Sequence, residues 1–192
     1  DLAETFPSFE EVEAGDLVEI YIGPETPPSG GLYNSKPLVQ KSIEAFSSKI
    51  VGIVSGNPAI LMQGLQVITG GWGSDPMNPS IALAGRVPVK VTLEGGPINN
   101  GDLLVSAPTP GHAMKYNPVN APDGSTPSII GIALDSFNQE TPGTVLVFIR
   151  NSHLQTPSAL TSQDQTSTNV TSTPSGNIVY EDLDLNGNSI IN

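Results

Sequence analysis

Ile81-Ala-Leu-Ala-Gly-Arg-Val-Pro-Val-Lys-Val-Thr-Leu93 decides the fold class, because it is the longest strand-like run in the chain. Its second half alternates valine with Pro88, Lys90 and Thr92, the period-2 pattern of a strand with one buried face. Gly85 interrupts the run and predicts a bend or a bulge. Pro88 has no N–H to give to a ladder, so we expect it at an edge, a bulge or a crossing between sheets.

Two copies of a short pattern flank this run. Ala14-Gly-Asp-Leu-Val18 is followed by Lys49-Ile-Val-Gly-Ile-Val54, and Asn100-Gly-Asp-Leu-Leu-Val105 is followed by Ser128-Ile-Ile-Gly-Ile-Ala133. A repeat around a central strand predicts a pseudo-symmetric β domain. No part of the pattern is typical of an active site.

Glycine and proline punctuate the whole chain, with 20 glycines and 18 prolines among 192 residues. Such punctuation favours many short strands and turns over long helices. The fold class we predict is all-β: a compact, pseudo-repeated barrel or sandwich of short strands, followed by an extended linker and a C-terminal β-strand. The segment Ala59–Ile68 is apolar and its structure stays ambiguous. The other strands predicted are Leu17–Ile22, Ile50–Ser55, Leu103–Ser106, Ile129–Leu134 and Thr144–Ile149.

The charge balance excludes two classes of partner. The chain has 19 acidic and 7 basic residues and a net charge of −12. Nucleic acid and anionic membrane surfaces both need lysine and arginine, so neither is an expected partner. No run of about 18 apolar residues exists, which argues against membrane insertion. The acidic balance favours solubility and leaves divalent cations as possible ligands.

The chain has no cysteine, which excludes disulfides and thiolate metal sites. Abundant Ser, Thr, Asn and Gly with little Lys is common in secreted proteins, so we expect an extracellular, cell-surface or virion-surface location. We expect Asp1 to be a processed or trimmed start.

The residues of common enzyme sites are not grouped in this sequence. His112 and His153 are far apart, and a histidine-based metal site or catalytic pair needs both. No nucleophile elbow, Walker loop or dinucleotide fingerprint is present. The acidic run that contains Glu10, Glu11 and Glu13 is expected to be a solvated face. The prediction is therefore a protein that is not an enzyme and that needs no cofactor.

Composition divides the chain into three parts: a β domain over residues 1–150, a Ser/Thr-rich linker over 151–176 and a C-terminal strand over 177–192. Fully extended, the linker spans about 80 Å at ~3.3 Å per residue. Asn169, in Asn169-Val-Thr171, fits the glycosylation acceptor pattern.

The C-terminal segment regains a strand pattern, with Val179, Leu183 and Leu185 on one face if the chain is extended. The intersubunit strand that we predict has its contact residues at Ile178, Val179, Tyr180, Leu183 and Leu185. Asp182, Asp184 and Asn186 alternate as oxygen ligands do in a calcium loop. An ordinary strand that enters an Asn-Gly turn explains the same residues, so Ca²⁺ stays an open alternative to no metal.

Several motifs in order carry a family resemblance. They are Ala3-Glu4-x-Phe6, Glu13-Ala-Gly-Asp-Leu-Val18, Ile50-Val-Gly-Ile-Val-Ser-Gly-Asn-Pro58, Leu83-Ala-Gly-Arg-Val-Pro-Val89, Gly101-Asp-Leu-Leu, Gly111-His-Ala-Met-Lys115 and Ile130-Gly-Ile-Ala-Leu134. Over residues 1–150 they resemble β-rich domains of bacterial and phage fibre-like surface proteins. They are distantly similar to the peptidase G2 domain, the auto-cleaving chaperone of phage tail spikes. That resemblance implies self-cleavage, with Glu4 as the residue carried over.

These observations lead to a first hypothesis and two alternatives. The first is a structural subunit of an extracellular fibre, whose partners are copies of itself. The copies assemble either head to tail, by addition of strand 177–185 to a neighbour, or as a trimer with a wound shaft. The second is an auto-processing chaperone domain of a phage fibre. The third is a carbohydrate-binding module that uses Trp72, Tyr33 and Tyr116; Trp72 equally fits a lid over the core.

Overall fold

The computed structural model describes residues 1–23, 37–70 and 75–153. Within these ranges the chain forms twelve strands and no helix, so the all-β prediction is confirmed. The strands are β1 Leu2–Thr5, β2 Leu17–Ile20, β3 Val39–Lys41, β4 Ile50–Val54, β5 Ile60–Gln63, β6 Gln66–Thr69, β7 Ser80–Ala84, β8 Arg86–Val91, β9 Leu103–Ser106, β10 Ala113–Lys115, β11 Ser128–Ala133 and β12 Gly143–His153. All belong to one compact unit, Asp1–Thr156.

The strands form an open sheet and a closed barrel. The sheet has seven strands in the order β3-β2-β4-β7-β1-β5-β6, and the barrel has five in the order β10-β8-β12-β11-β9. The pairs β1–β5 and β8–β10 are parallel, and all other named pairs are antiparallel. β4 and β12 are interior strands with a neighbour on each side.

The first five strands of the open sheet also curl toward closure. Ser8, just beyond β1, makes a parallel bridge to Val39 in β3. Phe9 N–H donates to the Val39 carbonyl at 2.8 Å. The barrel closes in the same way, because Val91 pairs in parallel with Ala113 and the next N–H, of Thr92, donates to the Ala113 carbonyl at 3.0 Å. We call β1–β4 with β7 the N-terminal barrel and β8–β12 the C-terminal barrel.

The two barrels repeat each other in register. Leu17 opposite Ile53 in the first corresponds to Leu103 opposite Ile132 in the second. The next pairs along also correspond: Val18 with Gly52, and Leu104 with Gly131. The predicted pseudo-repeat is therefore confirmed, and it extends beyond the quoted motifs to five strands in each half.

The cores follow the same correspondence. Val12, Val18, Val39, Val54 and Ile81 form the core of the N-terminal barrel, and their counterparts Ile98, Leu104, Ala113, Ala133 and Val147 lie in the core of the C-terminal barrel. Leu17, Ile53 and Ala82 project from the other face of the N-terminal barrel into that second core. The two barrels therefore share apolar packing. Because each barrel buries apolar side chains of the other, each stabilises the other.

The stretch Ile81–Leu93, which we expected to be the central strand between the two copies of the repeat, is the junction between the barrels. β7 ends the first and β8 begins the second, with Gly85 between them at a φ of +107°. A side chain at Gly85 is excluded because its Cβ would lie 2.9 Å from the Asp1 Cα. Pro88 pairs with Leu146, and its nitrogen faces away from β12, as does the Lys90 N–H that donates to Gly15. Proline therefore removes no bond from the β8–β12 ladder.

Candidate functional site

Most site residues predicted from the sequence lie outside the described residues. The set comprises the intersubunit strand, the calcium alternative, the glycosylation acceptor and two of the three aromatic residues: Ile178, Val179, Tyr180, Leu183, Leu185, Asp182, Asp184, Asn186, Asn169, Trp72 and Tyr33. These remain predictions. Tyr116 is described, and it packs edge-on against Phe46 with the ring centroids 6.4 Å apart.

A buried carboxylate lies at the entry to β2. Asp16 is 1% exposed, and its Oδ2 accepts the Glu13 N–H at 2.8 Å, which closes the turn before the strand. Lys90 Nζ donates to Asp16 Oδ1 at 2.7 Å and to Glu13 Oε2 at 2.8 Å, and Lys41 Nζ lies 3.7 Å from Asp16 Oδ2. Because Lys90 belongs to β8, this cluster ties the turn of the N-terminal barrel to the C-terminal barrel.

The same device recurs at the entry to β9. Asp102 Oδ2 accepts the Asn99 N–H at 2.7 Å, and Lys115 Nζ lies 2.8 Å from the same oxygen. Lys115 and Lys41 occupy corresponding positions, since Leu104 pairs with Lys115 as Val18 pairs with Lys41. Gly101 has a φ of +94° and Gly15 a φ of +87°, so both turns need glycine for a left-handed backbone.

The ion pairs shift the pKa values of their members. Burial lowers the pKa of Lys90, but its hydrogen bonds and charge interactions with Asp16 and Glu13 outweigh burial and raise that pKa above 10.5. The hydrogen bond and charge of Lys90 lower the pKa of Glu13 below 4.5. The Glu13 side chain is 77% exposed, as expected for a solvated face, and it also pairs with a lysine 77 residues away. The sequence could not show this pair, because the fold of β8 brings Lys90 to the turn.

The arrangement of these carboxylates is structural. Each aspartate has one backbone N–H and at least one ammonium group within reach, which satisfies the charge without a ligand. Residues 1–23, 37–70 and 75–153 contain no group of three or more His, Asp or Glu side chains placed to hold a metal ion. His112 lies in a turn, where its Nδ1 is 2.8 Å from the Pro110 carbonyl oxygen.

A cleft of about 440 Å³ lies where β8 begins. Its lining includes Asp1, Asn57, Arg86 and Thr144. It therefore combines opposite charges with neutral polar groups, without a histidine among its lining residues.

The segment Ala59–Ile68, ambiguous in sequence, contains most of a β-hairpin that extends the open sheet. β5 pairs with β1 and β6 pairs with β5, with Gly64 and Leu65 as the two-residue loop. Gly64 has a φ of +61° and Leu65 does not lie in the left-handed region, which fits a type II′ turn. Within the part of the chain that the structure describes, β6 is the end strand of the sheet.

This hairpin exposes apolar side chains. Leu65 is 83% exposed and Val67 is 68% exposed, and Ile60 on the same face as Val67 is 41% exposed. Single exposed apolar residues are ordinary, whereas a group of them on a hairpin at the end of a sheet is a candidate association surface. Sequence reasoning missed this surface, because the residues of the hairpin carry no polar alternation that would reveal which of them face solvent.

Comparisons with known proteins add little. No protein-family model matches the chain and no curated protein matches it, so the resemblance to the peptidase G2 domain is unsupported. Glu4, the residue carried over from that resemblance, lies on β1, with Met62 and Ile81 as its strand partners.

A solved structure, the head fiber gp8.5 N base of bacteriophage phi29, aligns with 14% identity over 79% of this chain and 96% of that chain. The TM-score is 0.40. A likeness at this level does not indicate a shared function, and the function proposed for this chain rests on its own residues. No helix in the described ranges is long and apolar enough to cross a membrane.

Proposed function

We propose that this chain is a non-enzymatic structural subunit of an extracellular or virion-surface fibre. Copies assemble when the C-terminal segment of one, residues 177–185, adds as a β-strand to the next. Backbone hydrogen bonds supply continuity, and Val179, Leu183 and Leu185 fill apolar contacts on the neighbour. A head-to-tail contact of this kind is heterologous, so it produces an open filament unless rotation closes a ring.

The observation that carries the proposal is that the fold has a sheet edge at β6 and the sequence has a further strand-patterned segment, residues 177–185. The C-terminal barrel closes with its own five strands, and β12, the last of these, pairs with both β11 and β8. The seven-stranded sheet, which includes the strands of the N-terminal barrel, ends at β6 in the described residues. The sequence then supplies strand-patterned residues 177–185 beyond the Ser/Thr-rich linker. An edge without a partner strand among the described residues and a further strand-patterned segment are the two halves of a strand-addition contact.

The way in which polar groups are used supports a structural role. The buried carboxylate, Asp16, joins two barrels and closes a turn, and the equivalent Asp102 closes the corresponding turn. Two barrels that share apolar packing within one compact unit suit a structural subunit of a fibre.

Deletion of residues 177–192 tests the proposal. The truncated protein is expected to keep its thermal unfolding transition and to sediment as a monomer, while the full chain forms larger species. Leu183→Asn together with Leu185→Asn is the length-matched variant, and it should weaken assembly in the same way. Filaments from the truncated protein, or a full chain that stays monomeric at every concentration, would refute the proposal. Mass in solution separates a closed trimer from a polymer, and addition of a chelator tests the Ca²⁺ alternative at Asp182, Asp184 and Asn186.

A further inference from the structure

We infer that the acceptor for the incoming strand is the outer edge of β6, in the hairpin formed by β5 and β6. The occupant is residues 177–185 of a neighbouring copy, so the inference rests on the proposed function and names the place where that contact forms. The hydrogen-bond direction, the exposure and the charge of the hairpin support this assignment.

The direction of the free backbone groups follows from the hairpin register. The Gly70 N–H donates to the Ala59 carbonyl at 3.3 Å, so residues 66, 68 and 70 point toward β5. Val67 and Thr69 therefore point their N–H and C=O groups away from β5. The other side of β5 is already used, since the Ile60 N–H donates to the Asp1 carbonyl at 3.2 Å and β1 pairs along its length. An added strand meets the hairpin at Val67 and Thr69.

The opposite end of the sheet is covered. β3 has β2 on one side, and on the other side residues 7–9 bond to Val39: its N–H donates to the Pro7 carbonyl at 3.0 Å. The Lys41 N–H donates to Glu10 Oε1 at 3.0 Å. Of the two end strands in the described sheet, β6 is thus the one with an available edge.

β6 has no lysine, no proline and no bulge, which are three of the features with which proteins protect sheet edges. Natural edge strands carry lysine, proline or a bulge that prevents pairing with another chain. β6 reads Gln66-Val-Ile-Thr69, and it pairs with β5 without a register shift. Its exposed Val67 and the neighbouring Leu65 offer apolar contact to side chains of an added strand.

The absence of charge around β6 favours the acidic tail as its occupant. Residues 50–74 contain no charged side chain, in a chain of net charge −12. The tail strand carries Glu181, Asp182 and Asp184. Such a strand is repelled by most of this acidic surface, and an uncharged edge is the place where it docks without repulsion.

Cross-linking of single-cysteine variants tests the inference, because the native chain has no cysteine. Val67→Cys protein is mixed with Leu183→Cys protein and treated with a short bis-maleimide. The matched control replaces Val67→Cys with Val119→Cys, at a position that is 88% exposed and distant in sequence from the hairpin. We expect a cross-linked heterodimer with Cys at 67 and none above background with Cys at 119.

A second variant tests the backbone contact itself. Val67→Pro removes an outward N–H and leaves the β5–β6 ladder intact, whereas Val67→Thr keeps the N–H and the β-branch. We expect the proline variant to lose assembly and the threonine variant to keep it, with unchanged thermal transitions in both.

The failures of the two proposals are distinguishable. If assembly needs residues 177–192 but Val67→Pro assembles normally and the 67/183 pair does not cross-link, the acceptor is wrong and the proposed function stands. If Val67→Cys cross-links only to itself, two β6 edges pair and the tail is not the occupant. If the full chain never assembles, both proposals fail.

Discussion

Asp16 and Asp102 occupy the same position in the two barrels, and each closes the turn that precedes a strand by accepting the backbone N–H three residues earlier. They differ in surroundings. The Asp16 side chain is 2% exposed and has Lys90 and Lys41 nearby, while the Asp102 side chain is 22% exposed and faces Lys115. The two aspartates thus make the same interaction at two different degrees of burial, so their variants can be compared within one protein.

We expect Asp16→Ala to lower the free energy of unfolding by about 3 kcal/mol and Asp102→Ala by about 1 kcal/mol. The buried site loses a hydrogen bond and a desolvated ion pair, whereas the second pair is screened by water. Urea unfolding measures both. Asp16→Asn is the intermediate variant, because it keeps an oxygen for the Glu13 N–H but loses the charge and the acceptor for Lys90. Equal losses of unfolding free energy in Asp16→Ala and Asp102→Ala would contradict the expectation that burial determines the loss.

Acid is expected to destabilise the protein partly through Asp102. Burial raises the pKa of this carboxyl, but Lys115 and the Asn99 N–H outweigh burial and hold the pKa below its ordinary value of 3.8. A depressed folded-state pKa contributes stability above the ordinary value, and that contribution is lost as pH falls through the folded-state pKa. Lys115→Met should therefore flatten the fall in unfolding free energy below pH 3.8. A slope unchanged from the parent protein would contradict this role.

The repeat could be predicted from the sequence because one part of it requires particular residue types. Gly15-Asp16 and Gly101-Asp102 are needed by identical turns, so the residues themselves persist in both copies. The other corresponding residues share a position in the two barrels but not a residue type. Ser8 corresponds to Val91 and Ile81 to Val147, and only hydrogen-bond register reveals that these pairs match. A strand position that needs only to be apolar leaves no signature in one sequence.

The candidate acceptor edge was beyond sequence reasoning for a related reason. Ala59–Ile68 is apolar or neutral throughout, so no period-2 contrast distinguishes a buried face from an exposed one. The buried state of Asp16 was equally hidden. Its partner Lys90 lies 74 residues away, and the intervening fold determines the contact.

Gly52 and Gly131 correspond in register, and both are expected to reject a methyl group. A Cβ at Gly52 would lie 2.7 Å from the Ala82 carbonyl oxygen, and one at Gly131 would lie 2.2 Å from the Phe148 carbonyl oxygen. Each glycine therefore allows close approach to the backbone of the next strand. Gly52→Ala and Gly131→Ala should each cost about 3 kcal/mol in urea unfolding, as overpacking does.

Gly70→Ala is the control for that comparison. Gly70 has a φ of +87°, and no atom lies within 4 Å of the position that a Cβ would occupy. The alanine variant therefore incurs backbone strain alone, about 1 kcal/mol. A Gly131→Ala loss no larger than that of Gly70→Ala would show that the close approach relaxes without cost.

Glu19 is a buried carboxylate whose counterpart in the C-terminal barrel, Val105, is apolar. Ser47 Oγ donates to Glu19 Oε2 at 2.7 Å, and Gln40 Nε2 donates to Oε1 at 3.1 Å. Ser47→Ala leaves one carboxylate oxygen without its donor, at a cost of about 2 kcal/mol. The double variant Glu19→Val with Ser47→Ala should recover part of that loss, because it removes both members of the Ser47–Glu19 hydrogen bond. A double-mutant cycle by urea unfolding gives the coupling, and additive losses would contradict it.

Charge at position 67 separates an acidic tail from a second β6 edge as the occupant of the hairpin. If the acidic tail is the occupant, glutamate at position 67 faces the carboxylates of residues 181–184, so Val67→Glu should weaken assembly. Lysine would face them with opposite charge, so Val67→Lys should assemble better than Val67→Glu. A cross-strand difference of about 1 kcal/mol corresponds to roughly fivefold in the dissociation constant. If two β6 edges paired instead, either substitution would place like charges together, and both variants would assemble equally poorly. Sedimentation of the two variants at low salt, where charge is least screened, distinguishes these outcomes.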